Sequence, residues 1–162
     1  MHRKILSYLL KKDFSISISK NFFILQNHTN QMPMASIFTK IVNGEIPSYK
    51  ITEDEHYYAF LDINPNAVGH TLCIPKQEVD KIFDMSEEMY VGLMRFSRKV
   101  AIAIEKAIPC KRVGMTVIGL EVPHAHVHLI PLNEMDNMNF KNKKQLSPEE
   151  FQEIVVKIQA AL

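Results

Sequence analysis

The sequence predicts an α+β fold, with an antiparallel meander sheet, one long helix and short flanking helices. Strand-like segments outnumber helix-like segments and are joined mostly by short turns, which favours antiparallel pairing over a doubly wound parallel sheet. The 162 residues suit one domain, and contents of 46% hydrophobic and 23% charged residues are typical of globular proteins. Disordered, collagenous and disulfide-scaffold classes are therefore excluded.

The first 33 residues differ from the rest of the chain in charge. Residues 1–33 hold five basic residues and one acidic residue, whereas residues 34–162 hold 14 basic and 17 acidic residues. We predict a basic leader over 1–33, disordered or missing from the mature protein, and one folded domain over 34–162. A transit peptide and an upstream extension before Met34 both fit the leader, but its broken apolar run disfavours a secretory signal.

The overall charge, the apolar runs and the cysteines exclude further classes of protein. The formal net charge of +1 lacks the basic surplus of a dedicated nucleic-acid-binding protein. No stretch approaches the roughly 20 apolar residues of a membrane span, so no membrane partner is predicted. Cys73 and Cys110 show neither zinc-knuckle spacing nor a secreted disulfide framework. We therefore expect a reducing, cytoplasmic location.

Apolar spacing and turn residues predict the elements of the N-terminal half. Apolar residues at helical spacing predict a short helix over 36–42, which Gly44 would end. Two strands are predicted over 49–52 and 56–63, on either side of an acidic turn. An Asn-Pro-Asn turn then leads to a third strand over 71–74.

The C-terminal half is predicted to contain the long helix, two further strands and a final helix. Ser86 is a suitable N-cap, two glutamates follow it, and apolar residues recur in steps of three and four until Pro109. Strands are predicted over 113–118 and 125–132. Ser147 begins a capping box with proline at the first helical position, which predicts the final helix.

The most informative segment contains three histidines, His124, His126 and His128, that alternate with apolar residues. In a strand they would share one face, about 6.6 Å apart, with the outer pair about 13 Å apart. Two of them could bind one zinc ion, but Zn–N bonds of about 2.0 Å do not let an unkinked strand supply all three. Alternatively, the three histidines are solvated polar residues on an exposed strand and have no functional role. A row of neutral imidazoles suits attack on phosphorus, with flanking groups that donate hydrogen bonds and protons.

The histidine motif and several other segments resemble the histidine triad (HIT) superfamily, and in particular its nucleotide-binding phosphoramidase-like branch. The resemblance extends from about residue 36 to residue 132 and includes, in the family's order, the segments 36–41, 44–47, 59–65 and 69–76. It implies a HIT-like α+β fold and makes 34–162 a nucleotide-binding catalytic domain.

The resemblance implies a nucleotidyl hydrolase that acts on a nucleoside monophosphate derivative, either a phosphoramidate or an acyl-nucleotide, through a covalent nucleotidyl-histidine intermediate. A dinucleoside polyphosphate hydrolase and a slow-turnover nucleotide-binding or interaction module are the alternatives. The implied substrate is a purine nucleotide derivative, and no cofactor is expected. The resemblance also suggests a homodimer with the long helix at its interface, although the apolar face of that helix could equally be intrachain core.

The resemblance also assigns roles to particular residues. It makes His126 the nucleophile, His124 and His128 its orienting and phosphate-contacting neighbours, and His70 the fourth member of the set. Asp62 would accept hydrogen bonds from ribose hydroxyls, with an Asx-type turn as the alternative role. The base would occupy an apolar slot, whose residues could also be plain core, formed by Phe38, Ile41, Phe60 and Ile63.

The sequence departs from the family pattern in two places. Ser36, Thr39 and Glu78 stand where many members have two cysteines and a histidine, which hold a structural zinc with the first triad histidine. No metal is therefore expected. The connection before the triad is short and contains Leu120 and Glu121 instead of the usual Gly-Gln-Ser or Gly-Gln-Thr. Glu121 places an acceptor-only carboxylate near an anionic substrate, which bears on the choice of leaving group.

Overall fold

The computed structural model describes residues 35–162, which form a five-stranded antiparallel sheet with helices on both of its faces. The predicted α+β class is confirmed. In chain order the helices and strands are α1 Ile37–Val42, β1 Lys50–Glu53, β2 Tyr57–Leu61, β3 Thr71–Pro75, α2 Glu87–Ala107, β4 Arg112–Thr116, β5 Val127–Leu132 and α3 Pro148–Gln159. The predicted leader over 1–33 and the domain start at residue 34 lie outside the described residues.

The sheet is a meander only in its first three strands. The strand order is β1-β2-β3-β5-β4, with every neighbouring pair antiparallel. Between β3 and β4 the chain runs through α2, whose 21 residues extend about 31 Å across the sheet. This crossing leaves β4 at the edge, and β5 returns between β3 and β4 to pair with both.

Alternation along the strands divides the apolar residues between two clusters. In β2, the side chains of Tyr57 and Leu61 pack with α2 and α3 in the main core. Tyr58 and Phe60 point to the other face and pack with Phe38 of α1 in a smaller cluster. All five β2 residues are buried because both faces of this strand are covered.

Serine side chains cap α1, α2 and α3 at their N-termini. The hydroxyls of Ser36, Ser86 and Ser147 accept hydrogen bonds from backbone amides in the first turns of α1, α2 and α3. The predicted capping box at α3 is present, since the Glu150 carboxylate accepts from the Ser147 amide. Within 35–162, no helix has both the length and the apolar character needed to cross a bilayer.

The strand that carries the histidines is shorter than predicted. It begins at Val127 rather than at residue 125, so His124 and His126 lie in the irregular segment just before β5. The neighbouring strand β3 ends at Pro75, which has no N–H to donate to a ladder. The Pro75 carbonyl instead accepts from the His124 ring, and the Ala125 amide donates to the Val79 carbonyl.

Candidate active site

A cavity of about 430 Å³ opens beside His126 and His128. Its walls come from four parts of the chain: the turn after β2, the connection before β5, the histidine segment and the segment after β5. The polar and charged side chains that line it are those of Asp62, Asn64, Glu121, His126, His128 and Lys143. The histidine motif therefore faces a space large enough for part of a small organic ligand.

The proton of His126 is placed by the backbone. Its Nδ1 lies 2.7 Å from the His124 carbonyl oxygen, which can only accept a hydrogen bond. Nδ1 must therefore carry the proton, and Nε2 of the neutral ring keeps a free lone pair. The ring packs edge-on against His128 at a centroid distance of 4.8 Å and against Phe38 at 5.1 Å. This arrangement suits a nucleophile.

His70 and His128 form a buried pair with an equally well-defined proton arrangement. The Asn66 amide donates to His70 Nδ1 at 3.1 Å, so the proton of neutral His70 is on Nε2. That Nε2 lies 3.0 Å from His128 Nδ1 and donates to it, which puts the His128 proton on its own Nε2. His128 thereby offers a hydrogen-bond donor beside His126, and His70 serves to orient it.

Burial keeps this pair neutral. The loss of solvation lowers the pKa of both His70 and His128 well below the usual value, and the neighbouring histidines and Lys143 add to the effect. Asp62 Oδ2 lies 3.6 Å from His70 Nδ1, but a neutral imidazole at that distance forms no ion pair.

His124 lies apart from the cavity. Its side chain is completely buried, Nε2 donates to the Pro75 carbonyl at 2.8 Å, and Nδ1 accepts from the Ser36 hydroxyl at 2.8 Å. With both nitrogens engaged, it has no free donor for a phosphate. The expectation that His124 contacts phosphate therefore disagrees with this geometry, whereas its orienting role fits, because its carbonyl holds His126.

The positions at which the resemblance implies a structural zinc in many family members form a hydrogen-bonded cluster here. The Ser36 amide donates to Glu78 Oε2 at 2.9 Å, and the Thr39 hydroxyl donates to the same carboxylate. The Ser36 and Thr39 hydroxyls both approach His124 Nδ1, at 2.8 and 3.4 Å. We name these four residues, Ser36, Thr39, Glu78 and His124, the α1 anchor, because they join the start of α1 to the histidine segment.

Asp62 has two roles divided between its two oxygens. Oδ1 accepts from the Asn64 amide at 2.8 Å, which is the Asx turn considered from the sequence. The rest of the carboxylate lines the cavity, where burial raises its pKa. The turn thus holds the carboxylate beside the histidines and leaves one oxygen free of backbone bonds.

Three of the four residues expected to form the base slot come together. Phe38 and Phe60 are buried and meet edge-on at 5.5 Å, and Ile41 packs against the same cluster. Ile63 is 67% exposed and is not part of this cluster. The contact between Phe38 and His126 connects the apolar cluster to the triad.

Asp62, His70 and His128 each have a ligand atom within 4.8 Å of the others, which is the spacing of a metal site. Both ring nitrogens of His70 already take part in hydrogen bonds, to the Asn66 amide and to His128. A metal at this position would have to break one of those bonds.

Phe140 and Lys143 belong to the cavity wall but were not predicted from the sequence. They lie in the segment between β5 and α3, which is rich in lysine and asparagine. This composition is typical of a solvated loop. The Phe140 ring packs edge-on against His128 at 5.0 Å and His70 at 6.2 Å. An isolated aromatic residue in this polar segment was the one available signal.

Comparison with known proteins agrees with the fold. A family model of the HIT domain matches residues 43–135, more than half of the chain. The uncharacterized HIT-like protein of Borreliella burgdorferi is 37% identical over 131 residues, which cover 75% of this chain and 94% of that protein. The adenosine 5'-monophosphoramidase of Saccharomyces cerevisiae is 40% identical over 98 residues, which cover 60% of this chain and 62% of that enzyme.

A solved structure gives the same result. The Hit-like protein involved in cell-cycle regulation from Bartonella henselae superposes with a TM-score of 0.70 at 33% identity, covering 78% of this chain and 96% of that one. The region matched by the family model contains the turn with Asp62, His70 and all three alternating histidines. The resemblance seen in the sequence is confirmed: the chain belongs to the HIT domain family.

Proposed function

We propose that this protein is a nucleotidyl hydrolase that cleaves a phosphoramidate or acyl derivative of a nucleoside monophosphate through a covalent intermediate on His126. The observation that carries the proposal is the hydrogen bond from His126 Nδ1 to the His124 carbonyl, which places the lone pair of the neutral tautomer on Nε2. Family membership and the monophosphoramidase relative support a nucleotide-binding hydrolase in general terms.

The chemistry follows from the two ring nitrogens that remain available at the cavity. His126 Nε2 attacks phosphorus, an N–P bond forms, the bond from phosphorus to the amine breaks, and the amine leaves with a proton from solvent. The developing positive charge on His126 is stabilised by the Nδ1–H bond to the His124 carbonyl. His128 Nε2–H donates to a phosphoryl oxygen. Water then hydrolyses the nucleotidyl-histidine and releases the nucleoside monophosphate.

The nucleoside half of the substrate would bind on the Asp62 side of the cavity. The oxygen of Asp62 outside the Asx turn is free to accept from ribose hydroxyls. A purine base would lie against the apolar cluster of Phe38, Ile41 and Phe60, and the exposed Ile63 would be the fourth residue of the slot.

Glu121 favours a phosphoramidate over a dinucleoside polyphosphate. Its side chain lines the cavity together with His126 and His128. Additional anionic phosphates in the leaving group would be repelled by this carboxylate, whereas an amine leaving group would not.

The experiment compares wild type with His126→Ala on a nucleoside phosphoramidate, following amine release and nucleotide affinity. We expect turnover to fall by roughly 10³-fold or more, since the nucleophile is lost, while nucleotide affinity changes little. His56→Ala is the matched control, because His56 is an exposed histidine in the turn between β1 and β2.

Acid quench followed by mass spectrometry tests the intermediate directly. Wild type should accumulate a nucleotidyl adduct that His126→Ala lacks. Equal turnover by the two proteins would contradict the role of His126, and binding without any adduct or turnover would favour the binding-module alternative.

We further propose a homodimer and a cytoplasmic location. The Met89, Leu93 and Phe96 side of α2 packs in the intrachain core. Another apolar surface, formed by Phe83, Tyr90, Met115 and Ile118 between α2 and β4, is exposed and supports association. The cysteines Cys73 and Cys110 are both unpaired, which is consistent with a reducing compartment.

A further inference from the structure

The cavity beside the triad contains few groups that attract an anion. Asp62 and Glu121 bring two carboxylates to its wall, and the low pKa of His128 keeps that ring uncharged near neutral pH. Lys143 is the one lysine or arginine among the described residues that line this cavity. A phosphate that reaches His126 would be repelled by both carboxylates unless Lys143 offsets them.

Contacts of the segment after β5 fix the position of Lys143 beside the cavity. Its Nζ donates to Asn66 Oδ1 at 2.8 Å and lies 5.0 Å from the centre of the Phe140 ring. Phe140 in turn packs against His128 and His70. The next backbone amide, that of Lys144, donates to the Pro65 carbonyl at 2.8 Å. The segment is thus bonded to the turn that follows Asp62.

The charge of Lys143 acts on the groups of the site. After the effect of burial, Lys143 contributes to lowering the pKa of both His70 and His128. It also opposes the rise that burial causes in the pKa of Asp62. The ammonium group is therefore close enough to interact with the triad and the ribose-side carboxylate.

The connection before β5 gives Lys143 a particular importance. That connection contributes Ile118, Gly119, Leu120 and Glu121 to the cavity wall, a set with no side-chain donor. Any positive charge offered to a phosphate must therefore come from elsewhere on the wall. The segment after β5 supplies it.

We propose that Lys143 is the phosphate-binding cation of this site and makes the protein select a nucleotide over the corresponding nucleoside. The inference rests on the proposed function, because it assumes that the cavity binds a nucleoside monophosphate. Lys143 Nζ would exchange part of its bond with Asn66 for a charge-assisted hydrogen bond to a phosphoryl oxygen. It is a binding residue, and the bond-making step remains with His126.

The test measures binding of AMP and of adenosine by calorimetry, to wild type, Lys143→Met, Lys143→Arg and Lys144→Met. Wild type should bind AMP more tightly than adenosine by about 10- to 100-fold, the range expected for a charge-assisted hydrogen bond. Lys143→Met should lose most of this preference while its adenosine affinity stays within about threefold of wild type. Lys143→Arg should retain the preference in large part.

Lys144→Met is the matched control, since it removes a neighbouring charge and keeps the backbone bond to Pro65. A purely structural role of Lys143 would lower adenosine and AMP affinity together, and that outcome would overturn the inference. An unchanged preference for AMP in Lys143→Met would also overturn it, while leaving the proposed function intact. Failure of wild type to bind either compound would instead remove the proposed function, and the inference with it.

Discussion

At the scale of single residues, hydrogen-bond partners determine which nitrogen of each histidine is reactive. Because His126 Nδ1 donates to the His124 carbonyl, Nε2 of the neutral His126 ring keeps its lone pair. Successive hydrogen bonds from the Asn66 amide to His70, and from His70 to His128, leave Nε2–H of His128 available as a donor. Similar imidazoles therefore take different roles because their partners are different groups. For His70 and His128, the neutral state is imposed by burial, which lowers the pKa of both rings.

This neutral state predicts a pH-dependent stability. His70 and His128 have folded-state pKa values of about 3, below the unfolded value of about 6.5, because burial disfavours the charged ring. The stability is fully present above pH 6.5 and is lost as the pH falls toward the folded-state values, because the unfolded chain then binds more protons. Between the folded-state and unfolded-state pKa values, each histidine lowers the free energy of unfolding by up to about 1.4 kcal/mol for each pH unit of acidification.

Urea unfolding at pH 7.5 and 5.5 measures this effect. We expect the free energy of unfolding to fall by about 2–3 kcal/mol between the two values. His128→Asn should show a smaller pH dependence than wild type, since one of the two groups is removed. A free energy of unfolding that is the same at both pH values would contradict the neutral pair.

At the scale of the elements, the α1 anchor joins a very short helix to the triad. A helix of six residues such as α1 has little stability by itself, so its position depends on tertiary contacts. The Ser36 hydroxyl both caps α1 through the Thr39 amide and bonds to the His124 ring. Phe38, which contacts His126 and Phe60, is positioned by this helix.

Ser36→Ala should therefore destabilise the protein more than an ordinary cap substitution. Loss of a serine cap costs about 1 kcal/mol, and the buried His124 Nδ1 left without its partner adds roughly 1–3 kcal/mol. Ser86→Ala is the matched control, because Ser86 caps α2 and has no contact with the triad. Denaturant unfolding compares the two, and an equal loss of stability would show that the bond to His124 contributes nothing.

At the scale of the whole molecule, the sheet buries one face under α2 and α3 and uses the other for the site. The side chains of Val127 and Leu129 lie in the main core, whereas His128 between them faces the cavity. At the sheet edge, β4 has a neighbour on one side within the described residues. Its unpaired edge adjoins the exposed apolar surface between α2 and β4.

From the unpaired edge of β4 and the apolar surface beside it, we predict a homodimer. One charged substitution on this surface should disrupt the dimer. Wild type should have the mass of two chains in size-exclusion chromatography with light scattering. Met115→Glu should shift it toward one chain, because Met115 is 47% exposed on β4 and a buried, unpaired carboxylate is costly. Val156→Glu on α3 is the control, since Val156 is 56% exposed away from this surface and should leave the mass unchanged. A wild-type protein with the mass of one chain would contradict the prediction.

The sequence by itself determined the class of fold, the order of the elements and the central histidines. These features depend on local regularities: periodic apolar residues, serine caps and turn residues act over a few positions and are visible in one chain. The alternation of the three histidines is also a local sequence pattern. Their placement near Asp62 and Phe38 was expected from the family resemblance.

Only the tertiary structure decided the start of β5, the isolation of His124 and the presence of Lys143 at the cavity. The start of β5 depends on Pro75 of the neighbouring strand, and the burial of His124 depends on Ser36, 88 positions away. Lys143 reaches the site through a bond to Asn66, 77 positions away. Such contacts join residues that share no local pattern, because they arise where separate segments pack together.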